Sequence, residues 1–322
     1  MKNLKKSSII FIIISFLTFF SSANAEIKVV ASIKPIHSLA SYLMDGVTKP
    51  KLIVDGYSSP HGFALKPSHA KMLQEADIIF WIGEDLENFM EKPLDSIAKK
   101  ADKIELLEIK GLNKLKFRER NIFAEHDDHD DHGHKEDGHK EDDHDDHDGH
   151  EGHHHGEFDP HIWLDPINAK VILFQMSKHL IENDSKNETI YRANLSKAYK
   201  EIDKLTNDVK SELNKSVASI VFHDAYQYFE KRFNVNILGA FTVNTDVMPG
   251  AEQLSEIREI IEHDNVACVF SEPQFNPNII KAVAKDMNIK TGVVDPLGAT
   301  LNPGKDLYFD LIKNMSKSFK GC

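Results

Sequence analysis

PSHAKMLQEADIIFWIGEDLENFMEKPLDSIAKKADKIELLE, residues 67–108, carries the alternation that runs through most of the chain. PSHAKMLQEA (67–76) has a proline in its first turn and apolar residues at Ala70, Met72, Leu73 and Ala76, the face of a helix. DIIFWIG (77–83) is a short unbroken apolar run, as expected of a core strand. A second helix is predicted from Leu86 to Lys99, and a further strand at KIELLE (103–108). Strands alternating with helices point to a mostly parallel sheet. Upstream, IKVVAS (27–32) reads as a buried strand, Pro35 to Asp45 as a helix and KLIVD (51–55) as a strand. GYSSPHGFALKP (56–67) reads as a loop from its Gly, Ser and Pro content.

Downstream of a charge-rich linker, helices are predicted from Pro166 to about Glu182 and from Glu188 to Asn214. The second has Leu195, Tyr199, Ile202, Leu205, Val209 and Leu213 at helical spacing. At 1.5 Å per residue it would be about 40 Å long, enough for a rigid spine between lobes. The strand–helix alternation then resumes: ASIVFHD (218–224), VNILGAF (235–241), VACVFSE (266–272) and IKTGVVD (289–295) read as strands. Helices are expected over Ala225–Phe233, Ala251–His263, Pro277–Asp286 and Lys305–Phe319. The expected architecture is α/β: an N-terminal lobe over 26–185, a linking helix over 186–214 and a C-terminal lobe over 215–322.

Residues 1–25 have the make-up of a signal peptide. Lys2, Lys5 and Lys6 precede an apolar run from Ile9 to Phe20, and Ala23-Asn24-Ala25 is a small-x-small cleavage site. Cleavage after Ala25 would leave Glu26–Cys322, with an uncleaved membrane anchor as the alternative. Between Glu125 and Glu157 lie 11 of the 18 histidines and 15 carboxylates, with only Lys135 and Lys140 as bases. So little apolar matter cannot offset the entropy of ordering, and disorder is expected. Two lysines against fifteen carboxylates leave this tract at −13, which accounts for the chain's formal −12. The acidity is therefore local: it suits cations and argues against a nucleic-acid partner, which needs a basic face. An exported chain meets an oxidising compartment, so Cys268 and Cys322 read as a disulfide, the alternatives being a metal role or a free C-terminal thiol.

In open α/β sheets ligands bind beyond the carboxyl ends of strands. Four polar residues fall there: His61 after the second strand, His161 in DPHIWLDP, His223 at the end of IVFHD and Asp295 in VVDPLG. Two come from each lobe, so an interlobe cleft would collect three imidazoles and a carboxylate, a set suited to zinc. No two are close in sequence, HExxH, CxxC and EF-hand patterns are absent, and a lone His after a strand is by itself usually a surface residue. Glu272 in FSEPQF, Asp224 and Asp165 are candidates to orient ligand imidazoles through hydrogen bonds. His37 is a minor candidate near the cleft; His69, His179 and His263 read as helix-start or surface residues, and Trp81 and Trp163 as core or cleft wall.

ASIKPIHSLA (31–40), LKPSHAKMLQEADIIFWIGEDLENFMEKPL (65–94), HIWLDP (161–166), FHDAYQYFEKRF (222–233), GAFTVNTDVMPGAEQLSEIR (239–258), CVFSEPQFNP (268–277) and VVDPLG (293–298) together resemble the periplasmic solute-binding proteins of metal ABC importers, most closely the zinc-uptake type. The position of the His-rich tract directly before HIWLDP is also that type's habit. The resemblance implies two (β/α)4 lobes bridged by a long helix and Zn2+ held between them by His61, His161 and His223. It further implies a Cys268–Cys322 disulfide, a periplasmic location, delivery of the metal to the importer's membrane permease, and no enzymatic activity; a monomer is expected. Some members of the zinc type carry a Glu just before the first ligand His, where this chain has Pro60, so water or Asp295 would complete the shell. Asp295 matches the carboxylate ligand of manganese-type relatives. The alternatives are a manganese or iron carrier, a three-His zinc hydrolase with Glu272 as its base, and a metal buffer in which the tract is the whole function.

Overall fold

The computed structural model describes residues 26–118, 120–122, 156–213, 217–243, 245, 249–287 and 289–322. The expected signal peptide, and the His-rich tract apart from Gly156 and Glu157, lie outside the described residues.

Two four-stranded parallel sheets form the frame. The first has the order β2-β1-β3-β4, from β1 (Val29–Ala31), β2 (Lys51–Leu52), β3 (Ile78–Trp81) and β4 (Asp102–Glu105). The second repeats that order as β6-β5-β7-β8, from β5 (Ser219–His223), β6 (Ile237–Thr242), β7 (Cys268–Ser271) and β8 (Lys290–Val293). Every strand pair is parallel, with Ala31 opposite Phe80 and Ile220 opposite Val269 in the central ladders. The central strands β1, β3 and β5 are buried at every position, which is why they read as continuous apolar runs rather than alternating ones.

Helices α1 (Lys34–Leu43), α2 (Pro67–Glu75) and α3 (Glu84–Ser96) connect the first sheet. Then α4 (Pro166–Asn183) and α5 (Glu188–Glu212) lead to the second sheet, where α6 (Gln227–Phe233), α7 (Ala251–His263), α8 (Asn278–Met287) and α9 (Leu307–Lys320) alternate with strands. The 25 residues of α5 span about 38 Å at 1.5 Å each. Its buried stripe, Tyr191, Ala198, Ile202, Leu205 and Val209, packs against α1, α4 and α9. One apolar core therefore runs from the first sheet through these helices into the second sheet, with Ile36, Leu173, Ile202, Phe229 and Ile312 in the same cluster. A smaller cluster, including Ile257, Ile261 and Ile280, fills the space between the second sheet and α7 and α8. Continuous packing of this kind resists large rigid-body displacement of one sheet from the other.

Two stretches end sooner as strands than their composition suggests. KLIVD pairs as β2 only over Lys51–Leu52, although Ile53 and Val54 still donate to Ala31 and Ser32 at 3.1 and 2.8 Å. KIELLE turns after Glu105 into a 3-10 turn at Leu106–Glu108, whose Leu106 and Leu107 are buried in the core rather than added to the sheet.

The charge-rich linker after β4 docks on the second lobe. Tyr228 Oη donates to the carbonyl of Asp159 at 2.8 Å and receives the N–H of Leu115 at 3.1 Å; Gln227 donates to the carbonyl of Lys116. Arg118 donates to Asp224 and Glu230. Asn121 and Ile122 lie along β6, where Ala240 N–H donates to the Asn121 carbonyl at 2.8 Å. A Cβ on Gly239 would lie 2.7 Å from that carbonyl oxygen, so this approach requires glycine. At the far end, the Cys268–Cys322 disulfide ties the second residue past α9 back to β7 with its Cα atoms 5.9 Å apart. No described helix is long and apolar enough to cross a membrane.

Candidate metal centre

His223 is the last residue of β5, so the parallel sheet itself aims it at the carboxyl end of the strands. Glu272 follows β7, the neighbouring strand, and its Oε1 accepts the Nδ1 proton of His223 at 2.7 Å and the His223 backbone N–H at 3.3 Å. His161 sits at the entry of a 3-10 turn (Ile162–Leu164) that runs into α4. Asp159 Oδ1 accepts both its backbone N–H, at 2.9 Å, and its Nδ1 proton, at 2.8 Å. His61 lies in the segment between β2 and α2, its backbone N–H donating to Ser59 Oγ at 3.3 Å.

These three imidazoles converge. One ring nitrogen of each lies within 4.8 Å of the others, and the ring centroids are 5.4–5.7 Å apart. Nitrogens on a tetrahedral zinc are about 3.3 Å apart, and a group of three at this spacing could hold a metal ion. His161 and His223 are buried and His61 is half-buried. They line a small cavity with Trp163, Phe275, Pro296 and Leu297, in which about 10 Å³ is open to the centre of a water-sized sphere, room for one water or one ion. With both Nδ1 protons given to carboxylates, His161 and His223 present Nε2 towards the cavity, and the Nε2 of His223 is buried without a hydrogen-bond partner.

The electrostatics favour neutral His161. Burial, and then the neighbouring His223, hold its pKa well below the usual imidazole range. Burial also acts to lower His223, but the charge and hydrogen bond of Glu272, with Asp224 and Asp159 behind it, outweigh that and raise it. Burial pushes Asp159 up to about 7, against the pull of the His161 N–H and Arg118.

Asp295 is outside this cluster. Its Oδ1 accepts from Gln274 at 2.9 Å and from the N–H groups of Leu297 and Gly298 at 3.0 Å, and its Oδ2 accepts the Ala299 N–H at 2.6 Å. With four donors on two oxygens the carboxylate caps its own loop. Asp224 is likewise engaged elsewhere, with Arg118 at 3.2 Å, and Asp165 caps α4 through Ile167 N–H while gripping Arg232 with both oxygens at 2.7 Å. The carboxylates that accept from the rings of His161 and His223 are Asp159 and Glu272, and of these Asp159 is one the sequence reading did not single out. Its signal was the DPH spacing, which lets one carboxylate oxygen reach both the backbone and the ring of the residue two places on. His37 Nε2–H donates to the Pro50 carbonyl, 3.1 Å away, and His69 and His179 contact Lys66 N–H and Asp102; none joins the cluster.

Residues 29–322 match the family described as zinc-uptake complex component A, periplasmic (ZnuA). The chain belongs to the ZnuA family. The high-affinity zinc uptake system protein ZnuA of Brucella abortus (strain 2308) is 46% identical to it, with 100% of this chain and 99% of that protein aligned. The Yersinia pestis protein of the same name is 35% identical over 92% of each. Among solved structures, ZnuA superposes with a TM-score of 0.71 at 21% identity, covering 91% of this chain and 99% of the other. A ZnuA deletion mutant with zinc bound gives 0.72 at 21%, covering 92% and 97%. The ZnuA fold of two parallel four-stranded sheets and a long helix is thus shared.

Proposed function

We infer that this chain captures zinc in the periplasm and delivers it to the membrane permease of an ABC importer, with His61, His161 and His223 as the direct ligands. The convergence of three imidazoles from remote parts of the sequence, two of them held by buried carboxylates, is the observation that carries this reading. Imidazole on zinc must be neutral and correctly turned; an Nδ1–H···carboxylate bond fixes the tautomer and the turn of the ring, and the ion displaces any proton on Nε2. Water is the fourth ligand, since Asp295 is bound to its own loop by four donors.

Three imidazoles favour zinc over the harder manganese, which prefers carboxylate and water oxygen. A hydrolytic reading needs a general base near the bound water; its candidate, Glu272, is engaged with His223. The chain is exported by cleavage after Ala25 and works as a monomer of two lobes, 26–185 and 215–322, on the spine 186–214. The tract 125–157 collects zinc weakly and raises its concentration near the cleft. Equilibrium dialysis of the mature chain against zinc and manganese together tests the metal: zinc should occupy the tight site and exclude manganese, and tighter manganese binding would overturn the assignment.

A further inference from the structure

We propose that Lys34 is a positioning residue for His61: its ammonium locks the segment that carries His61 onto the opposite lobe through Asp55, and so sets how long the ion stays bound. This rests on the reading of His61 as a ligand.

Lys34 opens α1 in the first lobe, yet its side chain is 5% exposed and its ammonium reaches into the second. It donates to the carbonyls of Ala299 at 2.9 Å, Leu301 at 3.0 Å and Gly298 at 3.3 Å. The N–H groups of Leu297, Gly298 and Ala299 all point to Asp295, and Trp163 Nε1 holds the Pro296 carbonyl at 2.8 Å. The 295–301 loop therefore has its N–H groups on a carboxylate and its carbonyls on an ammonium and an indole. It is a fixed wall, and its Pro296 and Leu297 line the metal cavity.

The fourth oxygen near the ammonium is Asp55 Oδ1, at 3.3 Å. Three protons face four acceptors, so the ammonium is shared between the wall and Asp55. Asp55 is six residues before His61, in the stretch with neither helix nor strand between β2 and α2. His61 is also the most exposed of the three imidazoles, so the path for an ion to enter or leave lies on its side. For His61 to swing off an ion, the 55–61 segment must move, and the Lys34–Asp55 pair opposes that motion. Most of the Asp55 side chain, 62%, is in solvent, so changing it tests the latch without opening the core.

The experiment follows zinc release from the full mature chain into excess EDTA by stopped flow. The slow phase belongs to the cleft and should vanish in His61→Ala; its survival there would overturn the ligand reading and the latch with it. In Asp55→Asn the slow phase should quicken roughly two- to fivefold, the range of a partly exposed ion pair. Association and the melting point of the zinc-free chain should not change, as a merely structural staple would not separate these quantities. Asp55→Glu should restore slow release. Lys34→Met should also quicken release, and Asp55→Asn should add nothing to it, because the two act as one unit. An unchanged slow phase in Asp55→Asn, with His61→Ala behaving as stated, would overturn the latch and leave the ligands standing.

Discussion

Glu272 Oε1 accepts the Nδ1 proton of His223 at 2.7 Å, and the same bond recurs between Asp159 and His161 at 2.8 Å. A carboxylate behind the ring makes the far nitrogen a better donor to a cation. Glu272→Gln keeps an acceptor in place but removes the charge. Zinc affinity should fall roughly 10- to 100-fold, in Asp159→Asn as in Glu272→Gln. Competition against a chelator of known strength measures this, and equal affinities would mean that the charge plays no part.

Zinc binding should weaken as the solution is acidified, and His223 should govern the first part of the fall. Its pKa is raised above 6.5 by Glu272 despite burial, so a proton competes with zinc there before it does at His161, whose pKa burial drives well below 6.5. Calorimetry in buffers of different ionisation enthalpy should detect a proton release that grows as the pH is lowered from 8.5 towards 6. In the zinc-free fold His161 acts in the same direction. Its depressed pKa contributes stability above pH 6.5, and that stability is lost as the pH drops through the folded value.

Glu87 is a buried carboxyl that the zinc reading does not use. It sits at the kink of α3, where Oε2 accepts the Ile82 N–H at 2.7 Å, and burial raises its pKa to about 7. Between pH 4.5 and about 7 the unfolded chain gives up this proton while the folded chain keeps it, so the group costs stability as pH rises. Glu87→Gln should therefore stabilise the zinc-free protein at pH 8 by roughly 2–3 kcal/mol and have little effect at pH 4. Urea unfolding at the two pH values measures the difference.

The disulfide closes 54 residues, which in the chain-entropy model contributes about 4 kcal/mol. Cys322→Ser should lower the urea midpoint accordingly. Zinc stoichiometry should not change, since the bridge joins β7 to the end of α9 and does not line the metal cavity.

Element order was legible because each lobe alternates short apolar runs with amphipathic helices, as around DIIFWIG and VACVFSE. His61, His161 and His223 stood out because they follow strands, and topology alone brings such positions together. Less legible was what depends on contacts with remote residues. KLIVD has strand composition, yet only Lys51–Leu52 form β2, although Ile53 and Val54 still donate to Ala31 and Ser32. Residues 115–122 looked like a charged linker because their partners, Tyr228, Asp224 and Ala240, lie over a hundred residues away. Asp295 stands past β8 as a candidate fourth ligand beside water, and the sequence does not show that three backbone N–H groups of its own loop donate to its carboxylate.

The central claim, one ion shared by three imidazoles, is tested most directly by calorimetric zinc titration of the mature chain lacking residues 125–155, beside His61→Ala, His161→Ala and His223→Ala. The parent should bind one zinc tightly, and each substitution should weaken that site at least about 100-fold by removing a first-coordination-sphere ligand. A tight one-to-one site that persists through all three substitutions would contradict the account.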